Sequence, residues 1–240
     1  ESIKIYLAND YDQENQNTQE IRKELRKSWG NKEAYKKALK NFPNYLRYER
    51  TMLHRLYENP SDFVGALNNL PKNLLNLFIH AYQSYLFNKT INERINRNIS
   101  LRKPIMGDVV CYTDLETGIP NRNVTERVTE KNREKIEEMI EKRKAYVTAP
   151  LFGKKTKQAL GEMGEIEEKI LEQENIGLTD FEIKKIPEIS SSGLRREIIT
   201  FPNFDSIKKT KSTVTLRFFL PKGSYATCVT REFRGELNGK

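Results

Sequence analysis

Near the carboxyl end, Pro221-Lys222-Gly223-Ser224 joins an alternating run, Thr213 to Leu220, to the stretch Tyr225 to Phe233, which reads as a helix capped by Ser224. A strand that turns on a glycine into a helix leaves free backbone N–H groups at the helix start. With Lys222 beside them, they suit a phosphate or a carboxylate. From residue 205 onward eight basic side chains face three acidic ones, which favours an anion there. Earlier in the chain His80, Ser84 and Asn88 recur every fourth residue. On a helix they form one uncharged polar stripe on or beside the buried face. Such a stripe either ties the helix to a neighbour through satisfied hydrogen bonds or meets a substrate directly. The cysteines, Cys111 and Cys228, lie far apart, and the histidines are His54 and His80. No C-x-x-C or H-E-x-x-H pattern occurs, so neither a disulfide framework nor a structural zinc is expected.

The elements that must carry these residues can be read from spacing. Residues 18 to 57 hold three helix-like stretches broken at Gly30-Asn31 and Pro43-Asn44. Between Arg22 and Arg55 eleven Lys and Arg face three Glu, a run that is either a solvated helix face or a phosphate-binding surface. Pro71 sits in the first turn of a long helix that reaches about Arg97, with Leu74, Leu77, Phe78, Ala81, Tyr85 and Ile95 as its apolar pattern. After Pro104 come short β-like pieces, 108–112 and 145–149, around a charged helix at 132–144. An acidic helix follows from about Lys155 to Glu174. Pro187 and Ser190-Ser191-Ser192-Gly193 read as a hinge or domain boundary. Arg195 to Phe201 and Thr213 to Leu220 look like an antiparallel pair. In the second run Val214, Leu216, Phe218 and Leu220 point one way and Thr215, Arg217 and Phe219 the other.

The chain has 240 residues, 37% hydrophobic and 10% aromatic, with a formal charge of +9. It is long enough for one large or two small domains, and apolar enough to fold. No stretch has the length and apolarity of a membrane span, and the start Glu1-Ser2-Ile3-Lys4 has no leader pattern. The Asn-x-Ser/Thr matches at Asn88, Asn98 and Asn123 are therefore expected to be chance, and a reducing cytoplasm is the expected compartment. The absence of an initial Met suggests a fragment or processed product.

Two longer motifs carry a resemblance. His80-Ala81-Tyr82-Gln83-Ser84-Tyr85-Leu86-Phe87-Asn88, with Glu93-Arg94 following, resembles the Q-S-Y-L-F-N helix of the TruD family of tRNA pseudouridine synthases, in its archaeal and eukaryotic branch. Phe218-Phe219-Leu220-Pro221-Lys222-Gly223-Ser224-Tyr225-Ala226-Thr227, followed by Arg231-Glu232, is similar to that family's C-terminal F-x-L-P-x-G-S-F/Y-A-T segment. Gly107-Asp108-Val109-Val110 and Thr148-Ala149-Pro150-Leu151-Phe152-Gly153 fall between them in the family's order. The resemblance covers residues 42 to 234.

It implies an α+β fold, part of a mixed, mostly antiparallel catalytic sheet with a largely helical family-specific insertion. On this reading residues 1–188 are mainly the insertion and 189–240 the C-terminal part of the catalytic domain. The implied activity is isomerisation of uridine to pseudouridine, at position 13 of tRNA, without cofactor or metal. Such chemistry needs the uridine flipped into a pocket, a carboxylate that acts while the glycosidic bond breaks, and basic groups on the RNA backbone. The family's aspartate motif, G-x-K-D-x-x-A-x-T-x-Q, and its N-x-F-G-x-Q-R-F-G motif are both missing here. Asp10, Asp12, Asp62, Asp108, Asp114, Asp180 and Asp205 lack that context, so none inherits the catalytic role. The resemblance thus implies a C-terminal portion, inactive alone, whose partners are tRNA and the missing N-terminal part of the same protein. It would supply pocket wall and RNA cradle through Phe219, Leu220, Lys222, Gly223, Ser224, Tyr225, Arg231 and Glu232. Against this, Phe219 and Leu220 could be plain core, and Arg231 and Glu232 an ordinary surface pair. A non-catalytic basic RNA-binding or ribosome-associated module is the alternative for the chain. Protein interaction through the acidic helix is a third.

Overall fold

The computed structural model describes residues 2–221 and 223–234, with the backbone alone for Arg234. Two compact units share these residues: one runs through Tyr82 and includes Ile183–Ser190, the other comprises Gln83–Glu182 and the described residues from Ser191 on.

The first unit is helical: α1 (Ser2–Ala8), α2 (Gln16–Lys27), α3 (Lys32–Asn41), α4 (Arg47–Glu58), α5 (Phe63–Asn68) and the first part of α6 (Lys72–Asn96). The breaks at Gly30-Asn31 and Pro43-Asn44 fall where the sequence places them. α1 and α5, too short to carry a periodic signal, were not anticipated. Side-chain caps start three helices: Asn15 accepts from the Thr18 N–H at 2.9 Å, Asn31 from Glu33 at 2.8 Å and Asp62 from Gly65 at 2.8 Å. The core joins Leu7, Leu25, Tyr35, Leu53 and Leu56 with Ile186 and Ile189 of the returning segment. Much of the basic run is structural. Arg22 is buried, binds Glu14 through two bonds of 2.7 Å, and donates to the carbonyls of Tyr6 and Leu7, satisfying the end of α1. Arg50 closes α3 by donating to the Leu39 and Phe42 carbonyls at 2.6 and 2.8 Å.

The second unit is built on a four-stranded sheet in the order β2-β1-β3-β4, from β1 (Val109–Thr113), β2 (Pro120–Arg127), β3 (Ala145–Leu151) and β4 (Leu194–Glu197), every pairing antiparallel. α7 (Arg133–Glu141) and α8 (Gly161–Gln173) pack on it. A separate hairpin, β5 (Asn203–Lys209) with β6 (Val214–Phe219), leads to α9 (Ala226–Arg234). The α+β class is as expected; several details differ. The segment 195–201 does not pair with 213–220, because β4 is taken by β3 and β6 pairs with the closer β5. The helix expected from Lys155 starts only at Gly161, since Lys154 and Lys155 donate their backbone N–H groups to Ser191 and Ser192.

That crossing also explains the serine run. The two units part at 190/191, and Ser191–Gly193 crosses closely over residues 153–155. A Cβ on Gly153 would meet the Gly193 backbone nitrogen at 2.0 Å, so the two backbones touch as only glycines allow. Gln83 of the Q-S-Y-L-F-N motif locks the same place, donating to Phe152 O at 2.6 Å and Ser191 Oγ at 2.7 Å.

Buried ion pairs hold the unit's motifs together. Arg94 and Asp108, both without exposed surface, meet through two bonds of 2.7 and 2.9 Å. Arg94 also donates to the Ser100 and Lys103 carbonyls. On β4, Arg195 reaches Glu167 of α8 at 2.7 Å and the Thr148 carbonyl at 2.7 Å. Glu167, though it belongs to the acidic helix, is an interior partner. Burial pushes its carboxyl upward while Arg195 pulls it down.

Candidate functional site

The alternation of β4 places its two arginines on opposite faces: Arg195 goes to the interior, and Arg196 opens onto a cleft of about 750 Å³. Ser84, Phe87 and Asn88 of α6 form one side of this cleft. Leu220, Ser224 and Tyr225 of the bend, with Cys228 and Glu232 of α9, form another. The two motif segments, well over a hundred residues apart in sequence, thus line one opening.

Arg196 joins them physically. Its guanidinium lies over the Phe87 ring, 5.2 Å to the centroid, and donates to the Gly223 carbonyl at 2.8 Å. Its Nε is buried and has no hydrogen-bond partner among the described residues. Gly223 takes φ = 90°, a left-handed conformation open to glycine. The space a Cβ would fill there is 3.9 Å from the Arg122 guanidinium. Arg122 in turn is held by Glu197 through bonds of 2.9 and 2.7 Å, which keep it firmly protonated. Two arginines therefore stand at the bend, Arg122 with its charge met by Glu197 and Arg196 without an ion-pair partner among the described residues. Sequence reasoning missed both. Tandem arginines on an alternating strand were the available signal, since one of them must face outward.

The anticipated residues separate by strand parity. Leu220 lines the cleft. Phe219, 57% exposed, is not core; it lines a smaller cavity of about 250 Å³ with Pro221, Tyr146 and Phe201. Ser224 is not the helix cap: α9 begins at Ala226, the Cys228 N–H donates to Tyr225 O at 3.1 Å, and the Ser224 hydroxyl donates to Thr200 Oγ1 at 3.4 Å. Tyr225 is exposed at the rim. Lys222 lies outside the described residues. Glu232 lines the cleft, Arg231 is exposed beside it, and no ion pair joins them among the described residues, as expected for helix neighbours that do not face each other.

Of the polar stripe, Ser84 and Asn88 line the cleft, whereas His80 belongs to the first unit and is exposed. The stripe is not on the buried face of α6, which is formed instead by Leu75, Gln83, Leu86, Phe87, Thr90 and Arg94. No aspartate lines the cleft; among the described residues its carboxylate is Glu232. Asp108 is consumed by Arg94, Asp62 caps α5, and Asp180 accepts from the Gly177 N–H. No group of three or more His, Cys, Asp or Glu among the described residues could hold a metal ion, and no described helix is long and apolar enough to cross a membrane. The cleft can hold a planar polar ring against the Phe87–Arg196 layer, with Arg196 as the one cation among its described lining residues. It has no nucleophile of the expected kind.

Comparison with known proteins identifies what the chain is similar to. The family model described as tRNA pseudouridine synthase D (TruD) matches residues 1–233, reaching further towards the amino end than the motifs did. A relative from Methanococcoides burtonii named "Probable tRNA pseudouridine synthase D" is 40% identical over 234 residues, 95% of this chain and 52% of the relative. One from Thermococcus sibiricus with the same name is 42% identical, over 87% of this chain and 49% of its own. A crystal structure from Methanosarcina mazei, whose description also names tRNA pseudouridine synthase D (TruD), superposes with a TM-score of 0.86 at 36% identity, covering 97% of this chain and 53% of that one. The chain thus spans about half the length of the curated relatives it matches.

Proposed function

The chain belongs to the TruD family of tRNA pseudouridine synthases, and from that premise we propose that it is a portion of an isomerase converting uridine to pseudouridine at position 13 of tRNA, acting in the cytoplasm. Residues 1–188 are assigned to the family-specific insertion and 189–240 to the catalytic portion, a division by descent rather than by contact. The aspartate that attacks the nucleoside comes from the remaining part of the longer polypeptide. This chain supplies the pocket wall and part of the RNA cradle. One observation supports the reading above others: two distant motifs line a single cleft, joined through Arg196.

The roles follow from chemistry. The uridine leaves its stack and enters the cleft, where the Phe87–Arg196 layer offers a surface for the freed ring. While the N1–C1′ bond is broken, the uracil must stay in place, turn, and bond to C1′ through C5, whose proton is then lost. Leu220 and the Gly223 bend limit that movement. Arg196, Lys222 and Arg231 hold phosphate or uracil oxygens, so the detached base does not escape.

The test is tritium release from tRNA labelled at uridine C5, using the longest natural polypeptide that contains this chain. Wild-type protein releases tritium. Arg196→Gln, Lys222→Ala and Arg231→Ala each lower the rate by about tenfold or more. Wild-type protein that binds tRNA yet releases none points instead to a non-catalytic RNA-binding module.

A further inference from the structure

Arg143 occupies a position that glycine usually fills. At the end of α7 the Lys144 N–H donates to Met139 O at 2.7 Å and the Arg143 N–H to Ile140 O at 2.9 Å. To make this closure Arg143 takes φ = 56°, a left-handed conformation that penalises any residue with a side chain. The side chain does not merely hang in solvent. Its guanidinium lies 4.5 Å over the centroid of Phe201, and Tyr146 flanks the same ring at 6.3 Å. Beside this layer is a cavity of about 380 Å³, also lined by Arg102 and Lys103. Both cations are exposed, and neither has an ion-pair partner among the described residues. Of the acidic groups lining it, Glu137 is bound by Arg133 at 2.9 Å, which leaves Glu141 against three cations.

We propose that this cavity is a second nucleotide site, separate from the isomerisation cleft, that seats one nucleotide of single-stranded RNA. Its base stacks on the Arg143–Phe201 layer and its phosphates lie against Arg102 and Lys103. A guanidinium resting on an aromatic ring keeps its other face for a base, and every base has such a face to offer. The flanking cations suit the phosphates that come with it.

The position favours RNA over an isolated anion. Residues 198, 200, 202 and 204 line the isomerisation cleft, while 199 and 201 line this cavity. Alternate residues of the segment 198–204 thus face the two openings. The smaller cavity holding Phe219 and Pro221 has Tyr146, Ile199 and Phe201 in common with one and Thr200 with the other, so it neighbours both. A strand whose base is drawn into the cleft passes the bend and has its next anchor here. The assignment to an RNA ligand rests on the isomerase reading above.

Arg143→Gly separates function from folding, because it removes the cation and relieves the left-handed backbone at once. With the longest natural polypeptide containing this chain, the melting temperature of the variant is expected to equal or exceed that of wild type. Its affinity for a labelled single-stranded oligouridylate, measured by anisotropy, falls roughly five- to tenfold. Phe201→Leu gives a similar loss, and Arg143→Lys, which keeps charge but not the planar stack, an intermediate one. Wild-type affinity in both Arg143→Gly and Phe201→Leu overturns the site, as does failure of the wild type to bind the oligonucleotide. Tritium release from tRNA is followed in parallel. If the wild type releases none while the variants still lose oligonucleotide affinity, the second site stands and the isomerase reading falls. Release with unchanged variant affinity gives the reverse.

Discussion

The two cysteines lie in opposite environments. Cys111 is fully buried on β1, and burial, followed by the nearby Glu197 carboxylate, pushes its thiol up to about 12. Cys228 is exposed on α9 and lines the cleft beside Arg196. Of these two cysteines, a thiol reagent at about pH 8 is therefore expected to modify only Cys228 in the native protein and both after denaturation. Cys228→Ser abolishes the native reaction, and RNA that occupies the cleft slows labelling several-fold. Two rapidly reacting native thiols would contradict the burial of Cys111. The same contrast governs Arg195 and Arg196. Neighbours in sequence, they serve as a core ion pair and a cleft wall, because successive strand residues face opposite ways. Their tandem was visible in the sequence, but which arginine faced inward depended on the position of Glu167.

At the scale of elements, α6 shows how a periodic pattern can mislead. Leu77, Phe78, Tyr85 and Ile95 were expected on the buried face, yet all four are substantially exposed. The buried face includes Gln83, Thr90 and Arg94, whose polar groups are satisfied by Phe152 O and Ser191 Oγ, by Leu86 O, and by Asp108. A helix with apolar residues on more than one side cannot be oriented by hydrophobicity alone. The Arg94–Asp108 pair also yields a stability prediction. Asp108→Ala leaves a buried guanidinium without its counter-charge, at a cost of about 3–5 kcal/mol. The expected fall in Tm is on the order of 10 °C, measurable by circular dichroism. Arg94→Met combined with Asp108→Leu removes both charges and should recover most of the loss. A single variant melting like wild type would show the pair to be dispensable.

Over the whole molecule, the charge of +9 is less free than composition implies. Arg22, Arg50 and Arg55 are committed to internal partners and Lys37 to Glu24. Lys23, Lys27, Lys40 and Arg47 remain exposed, without ion pairs among the described residues. These cations and those of the second unit predict that tRNA affinity falls by more than tenfold between about 50 and 200 mM salt, through release of counterions. A filter-binding titration flat over that range would argue against a phosphate-binding surface. The sequence by itself determined the family, the helices that end at glycine, asparagine or proline, the alternation of 214–220 and the two motif segments. All of these are local signals, carried by residues within a few turns of one another. Only the tertiary structure decided that β6 pairs with β5, that Glu167 and Asp108 are interior, and that Arg196 and Arg143 border clefts. Each of these depends on which distant segment comes to lie opposite, and that is set by packing across the whole unit rather than by any neighbour along the chain.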